Sequence, residues 1–392
     1  MVKNYFNNCL TSQPAPEVID AMLPYMKDKF FFPANFVLEG SEIEEDINSF
    51  KSIIAKTINA KPSEIHFTTG GTSANNIAIK GYLSANFKKG NHIIVSVVDY
   101  PDLLTNAAFF EKSGFKVTYL KVDEQGFIDL NQLEKAITPK TILFMSTIAN
   151  HTIGTIQPIK KVREILNKAP QRIAIHIDAC EAYARMPIDV QDLDIDLMSV
   201  SAHKIHGPKG IGFLYQKTGT KLAPVKHGIN RLDKHETGGF SIAAMAGFAK
   251  AVELTFDNFE ENVKKIRDIR NYLLNKIETE IPYTLLNGPR DDKYRVSHNL
   301  NISFDYIEGE AIMMMLNLSK IYVDTGSACA SQGLKPNYVQ MAIGRTHEQS
   351  HGSLKFTLTR YHTKEEIDYT VEKLKEIVLE LRRRSPLYDK EN

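Results

Sequence analysis

From Ile65 onward, short apolar runs alternate with amphipathic stretches, and this rhythm restricts the chain to few architectures. IHFTT leads to a helix from about Ser73, HIIVS to a helix over LLTNAAFFEKSG, and KVTYLKV to TILFMSTIA. The helix IKKVREILNK, the strand RIAIHID and a strand pair around Lys204 continue the series. Such alternation predicts an α/β fold, a mainly parallel sheet with helices on both faces. After about Thr255 the pattern changes to a long amphipathic helix through ENVKKIRDIRNYLLNKI, strands near HNLNISFDYI and SLKFTLTRY, and a helix over KEEIDYTVEKLKEIVLELRRR. That stretch reads as a second, smaller α+β domain packed tightly on the first. The chain shows neither an internal repeat nor a low-complexity linker.

With 392 residues, two domains with a large core are affordable. The 48 basic and 47 acidic residues nearly cancel, which gives no bulk-charge reason to expect a nucleic-acid partner. MVKNYFNNCL lacks a signal-peptide core, and no apolar stretch approaches the roughly 18 residues of a membrane span. Cys9, Cys180 and Cys329 are too few and too scattered for a disulfide framework or a metal site. A reduced, cytoplasmic enzyme without a membrane or metal site is expected.

The chemistry concentrates in SVSAHKIHGPKG, Ser199 to Gly210. An apolar strand precedes it and a tight turn follows, so Lys204 sits on a strand-end loop, where α/β sheets hold ligands. An amine there can form an imine, and Ser201 and His203 can donate to a phosphate. The plain alternative is a solvated lysine in a glycine-rich turn.

In FTTGGTSANN a strand runs into Gly70, Gly71 and Thr72 and then a helix. Its free N–H groups and positive dipole end suit a phosphate, although a simple helix start gives the same pattern. Tyr100 ends the strand region HIIVSVVDY and can stack on a flat ring or fill core. Asn150 and His151 follow a buried strand and can face a ligand or close a loop. Asp178 ends a strand of β-branched residues, where a carboxylate needs a partner: a protonated pyridine nitrogen or a nearby Lys or Arg. Cys329, among the small residues of VDTGSACASQG, has room to meet a substrate, whereas Cys180 reads as core and Cys9 as incidental.

SAHKIHGPKG, FTTGGTSANNIAIKG and GSACASQG, in their order along the chain, resemble the pyridoxal-phosphate-dependent class V aminotransferase family of fold type I. Within it the likeness is to the cysteine desulfurases of the NifS/IscS type, over nearly the whole chain. The resemblance implies a large pyridoxal-phosphate domain over 15–255 with a seven-stranded, mainly parallel sheet. It implies a small domain over 1–14 and 256–392 carrying the catalytic cysteine loop. Lys204 then holds the cofactor aldehyde and moves the substrate α-proton, and Asp178 keeps the pyridine nitrogen protonated. Gly71, Thr72, Ser201 and His203 bind the phosphate, and Cys329 takes sulfur from L-cysteine as a persulfide. A homodimer and a sulfur-acceptor protein, such as an iron–sulfur scaffold met by the terminal SPLY, complete the expectation. The alternatives are another carbon–sulfur or selenium lyase acting on a cysteine derivative, and a non-catalytic scaffold protein.

Several positions depart from the family pattern. Tyr100 replaces a stacking histidine, keeping the stack and losing proton transfer at neutral pH. His151 and Thr152 stand where Asn-Glu is usual. Glu181 replaces a glutamine that donates to the cofactor's phenolic oxygen, and His151 is expected to supply that donor and pair with Glu181. Gly238-Gly239 replaces the Gly-Thr that reaches the partner subunit's phosphate, leaving Thr237 nearby. Lys355 replaces the arginine that grips the substrate carboxylate and loses the two-pronged contact, while Arg360 is expected on the opposite strand face.

Overall fold

The structure, a computed structural model, describes residues 1–33, 37–228, 233–239, 241–325 and 335–388. Seven strands form the first sheet: β1 (Ile65–Thr68), β2 (His92–Ser96), β3 (Lys116–Leu120), β4 (Thr141–Thr147), β5 (Ala174–Asp178), β6 (Leu197–Ser201) and β7 (Gly212–Gln216). Their order is β1-β7-β6-β5-β4-β2-β3. From β3 to β6 all neighbours are parallel, and β7 runs antiparallel to both β6 and β1. Side chains that alternate along β2 and β4 feed two different cores. Ile93, Val95, Leu143 and Met145 pack under helix Gly71–Asn86, whereas Ile94 and Phe144 join the opposite cluster. Burial on both faces explains why these strands read as unbroken apolar runs.

The second sheet is antiparallel, in the order β10-β11-β9-β8, with β8 (Thr284–Leu286), β9 (Asn299–Phe304), β10 (Asp324–Thr325) and β11 (Ser353–Thr357). Helices Phe259–Glu280, Gly309–Leu318 and Lys364–Arg384 contribute Leu273, Ile312 and Leu374 to its core. Helix Lys364–Arg384 begins on a reciprocal Thr363–Glu366 cap and ends in three arginines, which complement its dipole.

Residues 5–13 tie the second sheet to the lysine loop. Phe6 N donates to Tyr322 O at 2.7 Å, and Thr357 N donates to Phe6 O at 2.7 Å. A few residues on, Ser12 Oγ donates to His203 O at 2.6 Å and accepts from His206 N at 2.7 Å. The N-terminal segment thus belongs to both halves. Among the described residues, no helix is long and apolar enough to cross a membrane.

Candidate active site

The C-terminal ends of β4, β5 and β6 meet the N-terminus of helix Gly71–Asn86, and there Gly71, Thr72, Tyr100, Asp178, Glu181, Ser201, His203 and Lys204 line one cleft. Strand ends at this edge of a parallel sheet leave side chains free to converge. Lys204 closes a single 3-10 turn after β6, and Arg185 Nη2 holds its carbonyl at 2.8 Å.

Lys204 Nζ pairs with Glu181 Oε1 and lies 5.5 Å from the Tyr100 ring centroid. Burial alone lowers the pKa of such an amine, but the Glu181 carboxylate outweighs it and holds Lys204 above the usual lysine range. Burial likewise opposes ionisation of Glu181, and Lys204 reverses the sign, keeping that carboxyl below its usual range. The second Glu181 oxygen accepts from His298 Nε2 at 3.3 Å. Burial depresses His298 to about 4, so it serves as a neutral donor.

Asp178 is 4% exposed. Its Oδ1 accepts from Cys180 N at 2.9 Å and its Oδ2 from Asn75 Nδ2 at 2.7 Å. Asn75 in turn accepts from His176 Nε2 at 2.9 Å, so one helix residue orients two side chains of β5. Burial raises the Asp178 pKa against these hydrogen bonds and the more distant Lys204, and among the described residues no cation forms an ion pair with it.

At the other end of the cleft, Gly70 starts the helix with φ of 142°, a conformation open to glycine, and Gly71 follows. A Cβ on Gly71 would sit 2.5 Å from Cys180 Sγ, so a larger residue there would have to displace the thiol that faces the helix end. Ser201 Oγ lies 2.8 Å from His203 Nδ1, and burial followed by Lys204 lowers His203 to about 4. Neutral hydroxyl, imidazole and backbone donors therefore line the hollow at this helix end.

Several expectations change. His151 does not pair with Glu181; its Nε2 lies 3.2 Å from Tyr338 Oη and its ring meets Tyr100 edge-on at 5.1 Å. Burial lowers it to about 3, and its Nδ1 is buried with no hydrogen-bond partner among the described residues. The geometric reason is that the turn after β4 carries His151 toward helix Tyr338–Ala342, while His298, just before β9, occupies the space behind Glu181. Cys180 is not core but lines the cleft, because the loop leaving β5 turns it toward Gly71. Nor is Cys9 incidental: it is 6% exposed, lines the cleft, and its Sγ lies 3.3 Å from Asn7 Oδ1 and 3.7 Å from Asp324 Oδ2.

Lys355 lies on β11 with its Nζ 2.9 Å from Asp324 Oδ2. Arg360 is turned elsewhere, to Thr255 Oγ1 at 3.1 Å and Tyr361 Oη at 2.8 Å. Thr237 packs against Gly228. Cys329 lies outside the described residues. His298 and Cys9 carried no sequence signal of their own. Asn75 stands inside the FTTGGTSANN motif, and its helical position one turn after Gly71 is the clue that was there to use.

The chain matches the aminotransferase class-V family over residues 4–370 and belongs to that family. It is 41% identical over 385 residues to cysteine desulfurase IscS of Clostridium botulinum strain Hall, covering 98% of this chain and 96% of that one. Among solved structures, a NifS-like protein superposes with a TM-score of 0.90 at 28% identity, over 97% of this chain and 100% of the other. SspA in complex with cysteine gives a TM-score of 0.80 at 29% identity, over 92% and 100%.

Pyridoxal 5′-phosphate is the cofactor of this family, and the cleft's donor set fits it. A buried carboxylate without an ion-pair partner among the described residues suits a protonated ring nitrogen. A lysine amine stands where an aldehyde must be held, and the glycine-shaped helix end suits a phosphate.

Proposed function

We propose that the chain is a pyridoxal-phosphate-dependent cysteine desulfurase that converts L-cysteine to L-alanine and passes the sulfur to Cys329 as a persulfide. The observation that carries this reading is the convergence of Lys204, Asp178 and the Gly71 helix end on one cleft, in a chain with full-length likeness to cysteine desulfurases. Bound in the cleft, pyridoxal phosphate supplies an electron sink for bonds at the α-carbon of an amino acid.

The chain's own residues do the rest. Asp178, oriented by Asn75, keeps a proton on the ring nitrogen. Tyr100, whose ring lies 5.5 Å from Lys204 Nζ, would cover a ring face and exclude water. Lys204 Nζ, once released from Glu181, takes the α-proton. The Cys329 thiolate would attack the substrate sulfur, the carbon–sulfur bond breaking with its electron pair on carbon; a proton delivered to that carbon and the proton returned by Lys204 to the α-carbon complete alanine.

In our reading the enzyme works as a cytoplasmic homodimer and hands its sulfur to an acceptor protein of the iron–sulfur scaffold kind. Exposed Ile19, Leu23 and Met26 on helix Pro16–Lys27, with Phe30 just after it, support self-association. The SPLY segment is held to the body, since Tyr388 packs on Tyr306 at 5.7 Å and leaves Leu387 outward.

The test mixes the cofactor-loaded protein with L-cysteine and measures alanine and sulfide together. Wild type is expected to form both, and Cys329→Ala and Lys204→Ala to form neither. Undiminished turnover by Cys329→Ala overturns desulfuration in favour of simple elimination.

A further inference from the structure

The hollow at the start of helix Gly71–Asn86 has one wall that the recognised motifs do not supply. Besides Gly71, Thr72, Ser201 and His203, it is lined by Lys226, from the segment that follows β7. That segment is fixed against the helix: Ala223 N donates to Gly81 O at 2.9 Å, and a Cβ on Gly81 would meet Ala223 O at 3.0 Å. Lys226 Nζ lies 3.3 Å from Ser73 Oγ and pairs with Glu236. Ser73 Oγ donates to the other Glu236 oxygen at 2.7 Å. Glu236 is 5% exposed, whereas the Lys226 side chain is 39% exposed.

Charge balance gives this geometry its meaning. A phosphate monoester carries nearly two negative charges at neutral pH. His203 is held neutral, Lys204 is committed to Glu181, and Gly239 offers no hydroxyl at the position where the family pattern has threonine. Among the described residues lining the hollow, Lys226 is the only lysine or arginine. Hydroxyls, backbone N–H groups and a helix end leave a dianion poorly compensated.

We propose that Lys226 is a direct ligand of the cofactor phosphate, with Glu236 and Ser73 as positioning residues that park its ammonium at the rim. This rests on reading the cleft as a pyridoxal phosphate site. When the dianion enters, Lys226 exchanges Glu236 for a phosphate oxygen, and Glu236 keeps the Ser73 hydroxyl.

The experiment follows cofactor retention by the holoenzyme through its violet absorbance during dialysis, without substrate. Lys226→Met is expected to bind pyridoxal phosphate about 10- to 100-fold more weakly, the loss of one charge-assisted bond. Lys226→Arg is expected to stay within about threefold of wild type, since the cation is kept. Inorganic phosphate should slow reloading of the stripped wild type and slow Lys226→Met markedly less. Retention by Lys226→Met equal to wild type, with equal sensitivity to phosphate, overturns the proposal. If Lys226→Met does not fold, Lys226→Gln is read the same way. Failure of the wild type to bind pyridoxal phosphate at all strikes the proposed function instead.

Discussion

Lys355 and Asp324 sit directly opposite each other across β11 and β10, and their side chains close an ion pair of 2.9 Å with the lysine only 10% exposed. Burial disfavours the ammonium, and Cys9 and Asp324 together more than reverse this, holding Lys355 above its usual range. A substrate carboxylate that uses Lys355 must therefore compete with a carboxylate already in place.

Replacing the competitor should tighten binding. Asp324→Ser is expected to lower KM for L-cysteine by about tenfold, the worth of one charge-assisted contact, with kcat nearly unchanged. Steady-state alanine formation measures the split. An unchanged KM means that Lys355 does not meet the substrate carboxylate.

Glu181 holds Lys204 as an ammonium, and condensation with an aldehyde needs the neutral amine. Removing the charge lowers the lysine pKa, so Glu181→Gln should load pyridoxal phosphate at least about tenfold faster near pH 8, a shift of about one unit or more. Stopped-flow absorbance of the cofactor-free protein gives the rate. Equal or slower loading shows that the pair does not limit the amine.

Acid should destabilise the fold early. His176 and His206 are depressed to about 3 and His298 to about 4, in each case first by burial. A histidine depressed in the folded state contributes stability that is present above about pH 6.5 and lost as pH falls toward the folded value. Buried Asp99, raised to about 6, acts in the opposite sense over part of that window. The net expectation is a loss of stability as pH falls from about 6 to about 4.5, because His151, His203 and His235 are depressed in the same sense and these histidines together outweigh Asp99. Melting temperatures at constant ionic strength test it, and a flat profile across that range counts against neutral buried histidines.

Much of the architecture is legible because burial leaves a local trace. The runs HIIVS and TILFMSTIA have apolar residues on both faces of the strand, and KEEIDYTVEKLKEIVLELRRR carries its own cap and dipole charges. Lys204, Asp178 and Gly71 were readable for a similar reason: each stands at a strand end or helix start, where position alone implies a direction. What stayed hidden depends on long-range approach. His298 is 117 residues from Glu181 and Glu236 is 163 from Ser73, and no periodicity reports such pairings. His151 misled because adjacency to a strand end fixes where a side chain begins, not where its turn sends it.

The segment Tyr5–Gln13 gives the molecule a mechanical linkage. One end is hydrogen-bonded into the second sheet, and the other grips the carbonyl of His203 and the amide of His206, on either side of Lys204. The small sheet and both flanks of Lys204 thus share one strap, and a graft or deletion in these nine residues would disturb the two together.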